Sequence, residues 1–206
     1  MAQDIELFYD VGSPYSYLAE TQTEDIERRT GRTVRYRPFL LGGVFKASGN
    51  VAPANVPNKA RWMLADLDAW ARFYGVPFRM SSHWPLATLP TQRVLVACER
   101  LHGQQPLRAL SRALFHAYWV DDRDVTTPET LASVIGATGL DPTALAAAAT
   151  EQATKDLLRE TTDEAVRRGA FGSPSFFAGD QLFFGNDRIT LLCDAVVRAE
   201  AAERGR

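Results

Sequence analysis

The stretch "FYDVGSPYSYLAE", residues 8–20, decides the reading of the fold. An apolar, β-rich run ends at Asp10-Val11, Gly-Ser-Pro follows at once, and a helical pattern opens behind it. Pro14 suits the first turn of a helix, where its missing N–H would have no intrahelical partner in any case. Ser13 therefore stands at a helix start, where unpaired backbone N–H groups and a partial positive charge gather. Its hydroxyl either caps the helix, a contribution of about 1 kcal/mol, or serves a bound group.

Working outward, "IELFYD" (5–10) reads as a buried strand, and the helix runs to about Thr30 before a C-terminal glycine, Gly31. "TVRYRPFL" (33–40) is a second strand, which makes a βαβ unit with parallel strands and a right-handed crossover. "LGGVFKASGNVAPANVPNK" (41–59) reads as a loop rich in Gly, Pro, Ala and Asn. From Lys59 to about Gly169 apolar residues recur at helical spacing, as in Met63, Leu67, Trp70 and Tyr74. The alanine-rich "PTALAAAA" (142–149) is helical by propensity. Strands return at "SPSFFA" (173–178) and "QLFFG" (181–185), joined by a Gly179-Asp180 hairpin turn, and a last helix runs from about Asp187 to Glu200. The order is β-α-β, a block of helices, then β-β-α. It predicts an α/β chain of thioredoxin type with an all-α domain inserted between its halves. The expected boundaries are 1–42, 43–168 and 169–206.

The bulk numbers agree with one large domain or one domain carrying an insertion: 206 residues, 46% hydrophobic and 23% charged. A formal net charge of -2 gives no global basic field for nucleic acid or an anionic membrane. Cys98 and Cys193 are far apart in apolar stretches and form no CxxC, so reduced core thiols are expected. "MAQDIELF" lacks the features of a signal peptide, and no run nears the roughly 18 apolar residues of a membrane span. The cytoplasm is the expected compartment.

In a thioredoxin-type fold the position after the first strand carries an attacking thiol. Here "SPYS" (13–16) has oxygen in place of both sulfurs, which rules out disulfide exchange at that place. A hydroxyl there can instead donate to a thiolate brought by another molecule. A free thiol titrates near about 8.5, and lowering it by about one or two units makes thiolate dominant near neutral pH. In "FGSPSFF" (171–177), Pro174 behind Ser173 is expected to be cis, leaving the Ser173 backbone free to pair with an extended peptide; an ordinary edge-strand proline is the other reading.

Lys59 follows Asn58, a suitable N-cap, and so falls in a first helical turn. A cation there opposes the macrodipole by a few tenths of a kcal/mol, roughly, which a bound carboxylate would explain; a solvated surface lysine is the alternative. Asn186 and Asp187 sit where a strand hands over to the last helix, either as caps or as acceptors for a ligand. His83, His102 and His116 form no metal-ligand set, although His83 beside Trp84 is a candidate for a pocket wall. No Gly-rich phosphate-binding pattern is present.

Four stretches in order, "ELFYDVGSPYSYLA", "SGNVAPANVPNKARWMLADL", "ETTDEAVRRGAFGSPSFF" and "FFGNDRITLL", resemble the kappa-class glutathione transferases and the 2-hydroxychromene-2-carboxylate isomerases. The resemblance covers essentially the whole chain. It implies a glutathione site in which Ser13 bonds the sulfur and Ser173, before cis Pro174, pairs with the cysteinyl backbone. Asn186 and Asp187 would hold the γ-glutamyl end, and Asn50 and Lys59 would lie near the glycine carboxylate. Relatives often carry Leu or Val where this chain has Ser173, a change that leaves a backbone contact intact.

The isomerase branch implies interconversion of 2-hydroxychromene-2-carboxylate and trans-o-hydroxybenzylidenepyruvate through a transient glutathione thiolate adduct. The transferase branch implies conjugation of glutathione to small electrophiles. Asn55, Lys46 and His83 are the candidates for contacting an aromatic substrate. The resemblance also implies a homodimer. A non-catalytic peptide-binding module is a third reading, opposed by Lys59 and Asp187 standing where the two ends of a tripeptide would need them.

Overall fold

Ile5, Leu7, Phe8 and Tyr9 have no solvent exposure, so the first strand, β1 (Ile5–Tyr9), is covered on both faces as its unbroken apolar run demands. The computed structural model describes residues 4–204. Residues 1–3, which open the segment read for a targeting signal and the expected first half, lie outside the described residues, as do 205–206. β1 pairs in parallel with β2 (Val34–Pro38) and antiparallel with β3 (Ser175–Ala178), and β3 pairs with β4 (Gln181–Phe184). The order β2-β1-β3-β4 joins the two ends of the chain in one mixed sheet. Among the described residues ten α-helices surround it.

The helix expected from Pro14 to Thr30 is two helices, α1 (Pro14–Glu20) and α2 (Thr23–Thr30). Hydroxyls end the first one: Thr21 Oγ1 donates to the Leu18 carbonyl (2.7 Å) and Thr23 Oγ1 to that of Glu20 (2.9 Å). Side-chain donors thus satisfy carbonyls that the helix would otherwise have to pair. Gly31 closes α2 in the left-handed conformation, with φ 65°.

The expected loop at 41–59 opens instead with a helix, α3 (Leu41–Ser48). Packing overrides the two glycines that argue against it. Val44 is buried with Phe8, Phe39, Phe177 and Ala165 in a second core cluster. A Cβ on Gly43 would meet Thr162 Cγ2 at 3.1 Å, so its glycine permits the close approach. A 3₁₀ turn at Pro53–Asn55 leads into α4 (Pro57–Tyr74), whose N-cap is Val56. Asn58 is therefore inside the first turn and not its cap; its Oδ1 accepts from Arg61 (2.6 Å). Lys59 remains in that turn.

The helices α5 (Leu89–His102), α6 (Gln104–Trp119), α7 (Pro128–Ala137), α8 (Pro142–Thr150) and α9 (Gln152–Arg167) follow before β3. After β4 a 3₁₀ turn (Asn186–Arg188) precedes α10 (Ile189–Arg204), which splits the expected final helix at its start. Two buried side chains tie the helices to the end of β1. Gln92 of α5 donates to the carbonyls of Tyr9 (3.0 Å) and Phe39 (2.7 Å), and Trp119 of α6 donates to that of Val11 (2.8 Å). These bonds fix the turn at Gly12 and Ser13 from below. No helix among the described residues is long and apolar enough to cross a membrane.

Candidate functional site

Ser13 is extended (φ -94°, ψ 117°), as an N-cap must be, and its Oγ accepts from the Ser16 N–H (3.2 Å). The same hydroxyl donates to the Ser173 carbonyl (2.9 Å). Pro14 has no N–H, and Ser16 is capped, which leaves the Tyr15 N–H as the first-turn amide with no acceptor among the described residues. Two donors, the Ser13 hydroxyl and the Tyr15 N–H, therefore stand at this place.

The Ser173–Pro174 peptide bond is cis. Ser173 Oγ accepts from the Asp10 N–H (3.1 Å) and shares a hydrogen bond with Ser16 Oγ (2.6 Å). Three serines from opposite ends of the chain so form one buried polar group. Asp10 below them accepts from the N–H groups of Gly12 and Leu41, both at 2.9 Å, while burial pushes its carboxyl above the usual range.

Above Ser13 opens a cavity of about 790 Å³. One face of α4 walls it with Lys59, Trp62, Met63, Asp66 and Trp70, residues spaced at three and four positions. Ser173, Asn50, Asn186 and Asp187 also line it. The Tyr15 phenol donates to Asp66 Oδ2 (2.9 Å). Its pKa is raised, first by burial, then by the hydrogen bond to Asp66 and by the charges of Asp66 and Asp187. Asp66 and Asp187 thus act on the same phenol. Lys59 stands seven residues before Asp66, about 10 Å along the axis at helical rise. A cation and a pair of carboxylates separated in this way suit an elongated zwitterion.

Two glycines shape the wall. Gly185 has φ 97°, and a Cβ on it would fall 2.5 Å from Asp187 Oδ1. A Cβ on Gly172 would fall 2.6 Å from Phe184 Cε2, so its absence lets that ring lie over the backbone. Asn50 Nδ2 donates to the Phe171 carbonyl (2.8 Å) and ties the segment after α3 to the stretch just before Ser173.

Six of the residues singled out in the sequence line this cavity together: Ser13, Ser173, Asn50, Lys59, Asn186 and Asp187. Asn55, Lys46 and His83 do not line it, and neither does Pro174, which shapes the wall through its cis bond to Ser173. Asn55 is exposed in the 3₁₀ turn, Lys46 is exposed in the last turn of α3, and exposed His83 turns its backbone N–H to Ser81 Oγ (3.2 Å). Its neighbour Trp84 lines the wall instead. Sequence reading missed Tyr15 and Asp66; the one signal was that Asp66 shares the helical face of Lys59.

Neither thiol is near. Cys98 and Cys193 are buried and free, and burial pushes Cys98 up to about 11. Among the described residues no cluster of metal-ligating side chains forms.

With this geometry in hand, comparison with known proteins gives a consistent answer. Residues 4–197 match the model of the DsbA-like thioredoxin domain. A 2-hydroxychromene-2-carboxylate isomerase from Sphingobium xenophagum is 34% identical over 202 residues, covering 93% of this chain and 97% of that protein. Glutathione S-transferase kappa 1 from Rattus norvegicus is 32% identical over 200 residues, covering 91% of this chain and 88% of its own length. The solved structure of a 2-hydroxychromene-2-carboxylate isomerase superimposes with a TM-score of 0.86 at 26% identity, covering 98% of each chain. The chain belongs to the DsbA-like thioredoxin family and, within it, to the enzymes named as 2-hydroxychromene-2-carboxylate isomerases and kappa-class glutathione transferases.

Proposed function

We propose that the protein is a glutathione-dependent isomerase that interconverts 2-hydroxychromene-2-carboxylate and trans-o-hydroxybenzylidenepyruvate. One observation carries the chemistry: the Ser13 hydroxyl, held 2.9 Å from the carbonyl before a cis proline, inside a cavity with a lysine and two outer carboxylates. The isomerase choice is supported by the relatives above, one at 34% identity and one at a TM-score of 0.86.

The lining fits glutathione in its charge layout. Lys59 and Asn50 would take the glycine carboxylate, Ser173 the cysteinyl backbone, and Asn186 with Asp187 the γ-glutamyl end, Asp66 adding a second carboxylate near its ammonium. When bound, glutathione supplies a thiol whose deprotonated form is the nucleophile. The protein's work is to make that form common at neutral pH. Ser13 turns its hydroxyl from the Ser173 carbonyl to the sulfur position, and the Tyr15 N–H is the second donor. Each unit by which a thiol's pKa falls corresponds to about 1.4 kcal/mol of preference for the anion. Donors already in place lose little to reorganisation.

A second reading, a kappa-class transferase joining glutathione to small electrophiles, draws on one feature. Lys59 is the sole cation among the lining residues, against Asp10, Asp66 and Asp187, so the remaining wall suits an electrophile without a carboxylate. In either case we place the enzyme in the cytoplasm as a homodimer, acting on an aromatic compound under breakdown.

The test is calorimetric titration with reduced glutathione and with S-methylglutathione. Saturable binding, weaker for the blocked thiol, is expected, followed by turnover of the chromene carboxylate. Absence of binding up to millimolar concentration would return the fold to peptide binding.

A further inference from the structure

The segment from Arg79 to Thr88 walls the cavity next to Ser13, and it is fixed. Asp122 sits in the left-handed region, with φ 57°, where a non-glycine residue persists only if its surroundings hold it. Its carboxylate accepts from the Ser82 N–H (2.7 Å) and from the hydroxyls of Ser81 (3.0 Å) and Ser82 (3.1 Å), and pairs with Arg79 (2.9 Å). The Arg79 N–H donates to the Trp119 carbonyl (2.7 Å).

On this anchored segment Trp84 is held at both ends. Its backbone N–H donates to the Ser81 carbonyl (3.2 Å), and its indole Nε1–H donates to the carbonyl of Gly12 (3.3 Å), the residue before Ser13. The ring packs on the core and also lines the cavity. The other tryptophans and the tyrosine of the wall are differently placed. Trp62 is 63% exposed, Trp70 packs against Phe73 and Tyr74, and the Tyr15 hydroxyl is committed to Asp66. Among the described residues only the Trp84 ring hydrogen-bonds to the residue next to Ser13.

We propose that Trp84 is a stacking platform for the flat, conjugated ring system of the electrophile, placing it beside the sulfur position and selecting it by ring area. The proposal rests on the glutathione-dependent reading for the chemistry at Ser13. A ring already immobilised loses no rotamer freedom when a ligand stacks on it. The neighbouring wall residues Pro85, Leu86 and Thr88 carry no charge, so a carboxylate on the substrate points away from this subsite.

Two probes test it, applied without glutathione: neutral coumarin and chromone-2-carboxylate, which share the fused ring plane. Coumarin is expected to quench tryptophan fluorescence in the wild type, in Trp62→Phe and in Trp70→Phe, and the quenching is expected to vanish in Trp84→Phe. Loss of stacking in Trp84→Leu should weaken coumarin by about ten-fold, the upper end for an aromatic pair. Glutathione affinity by calorimetry should stay unchanged, and the two probes should bind wild type within about three-fold of each other, under 1 kcal/mol. Quenching that survives Trp84→Phe, undiminished coumarin binding in Trp84→Leu, or a strong preference for the carboxylate probe would overturn the platform. Failure of the wild type to bind glutathione would instead overturn the proposed function, and the coumarin result would still decide the subsite.

Discussion

The Ser13 hydroxyl donates to the carbonyl of Ser173 across 2.9 Å, joining residues 160 apart in the chain. The bond ties the start of α1 to the strand segment that closes the cavity. It also means that the hydroxyl proposed to serve a thiolate already has a partner, from which it must turn. Ser13 has a second duty as the cap that takes the Ser16 N–H.

The two duties separate in a pair of variants. Both variants lose the buried bond to the Ser173 carbonyl; beyond that shared cost, Ser13→Ala should lose about 1 kcal/mol of capping and Ser13→Gly, a tolerated cap residue, only a few tenths, roughly. Both lose the donor to sulfur. The pH at which turnover reaches half its plateau should therefore rise equally in the two, toward the free thiol value of about 8.5. Urea unfolding beside a rate–pH profile checks this, and a profile that follows stability would remove the thiolate role.

Lys59→Ala should act in opposite directions on binding and folding. Lys59 is exposed in the first turn of α4, where its charge opposes the macrodipole. Without it the helix should gain a few tenths of a kcal/mol, roughly, so the melting temperature stays level or rises slightly. Glutathione should bind several-fold more weakly, with the maximal rate little changed. Calorimetry and a thermal melt on one sample give both answers, and equal affinities would make Lys59 a surface lysine.

Much of this site was legible because its parts announce themselves locally. Pro14 behind Ser13 marks a helix start, and the Gly179-Asp180 turn marks the hairpin that carries Ser173 to the sheet. What stayed hidden depends on partners distant in sequence. Nothing near Tyr15 indicates that its phenol meets Asp66, 51 residues away. The helix α3 is contrary to its own glycines and exists because Val44 and Gly43 pack against β1, β3 and α9. The break at Thr21 and Gln22 is set by hydroxyl bonds to carbonyls, which leave the apolar periodicity unchanged. The segment of His83 does line the cavity, but through its neighbour Trp84, because nothing local to the sequence sets which of the two side chains turns inward.

Gly185→Ala should damage both structure and ligand binding. The residue has φ 97°, and the added Cβ would fall 2.5 Å from Asp187 Oδ1. Strain at a positive φ costs about 1–2 kcal/mol, and the Asp187 carboxylate must move. Glutathione affinity should fall beyond what lower stability explains. A comparison at 10 °C, well below the melting transition, separates the two, because folded protein that binds normally would mean that Asp187 has no ligand contact.

Acid should loosen the segment that Asp122 anchors. The Asp122 carboxyl lies below the usual carboxylate range, chiefly because the Ser82 N–H donates to it, with the Ser81 and Ser82 hydroxyls and Arg79 adding to the effect. Its folded pKa is lower than its unfolded value of about 3.9, so the anion is preferred in the folded state. The stability it contributes is present in full above that unfolded value and is lost as pH falls through the folded one. Asp122→Ala should therefore lower the urea midpoint at pH 6, and the gap from wild type should narrow as the pH drops toward 3. In the same window the wild-type segment from Arg79 to Thr88 should loosen, weakening coumarin binding at pH 3 while Asp122→Ala is already weak at pH 6. A midpoint gap that is constant with pH would mean that Asp122 holds the segment by shape alone, without its charge.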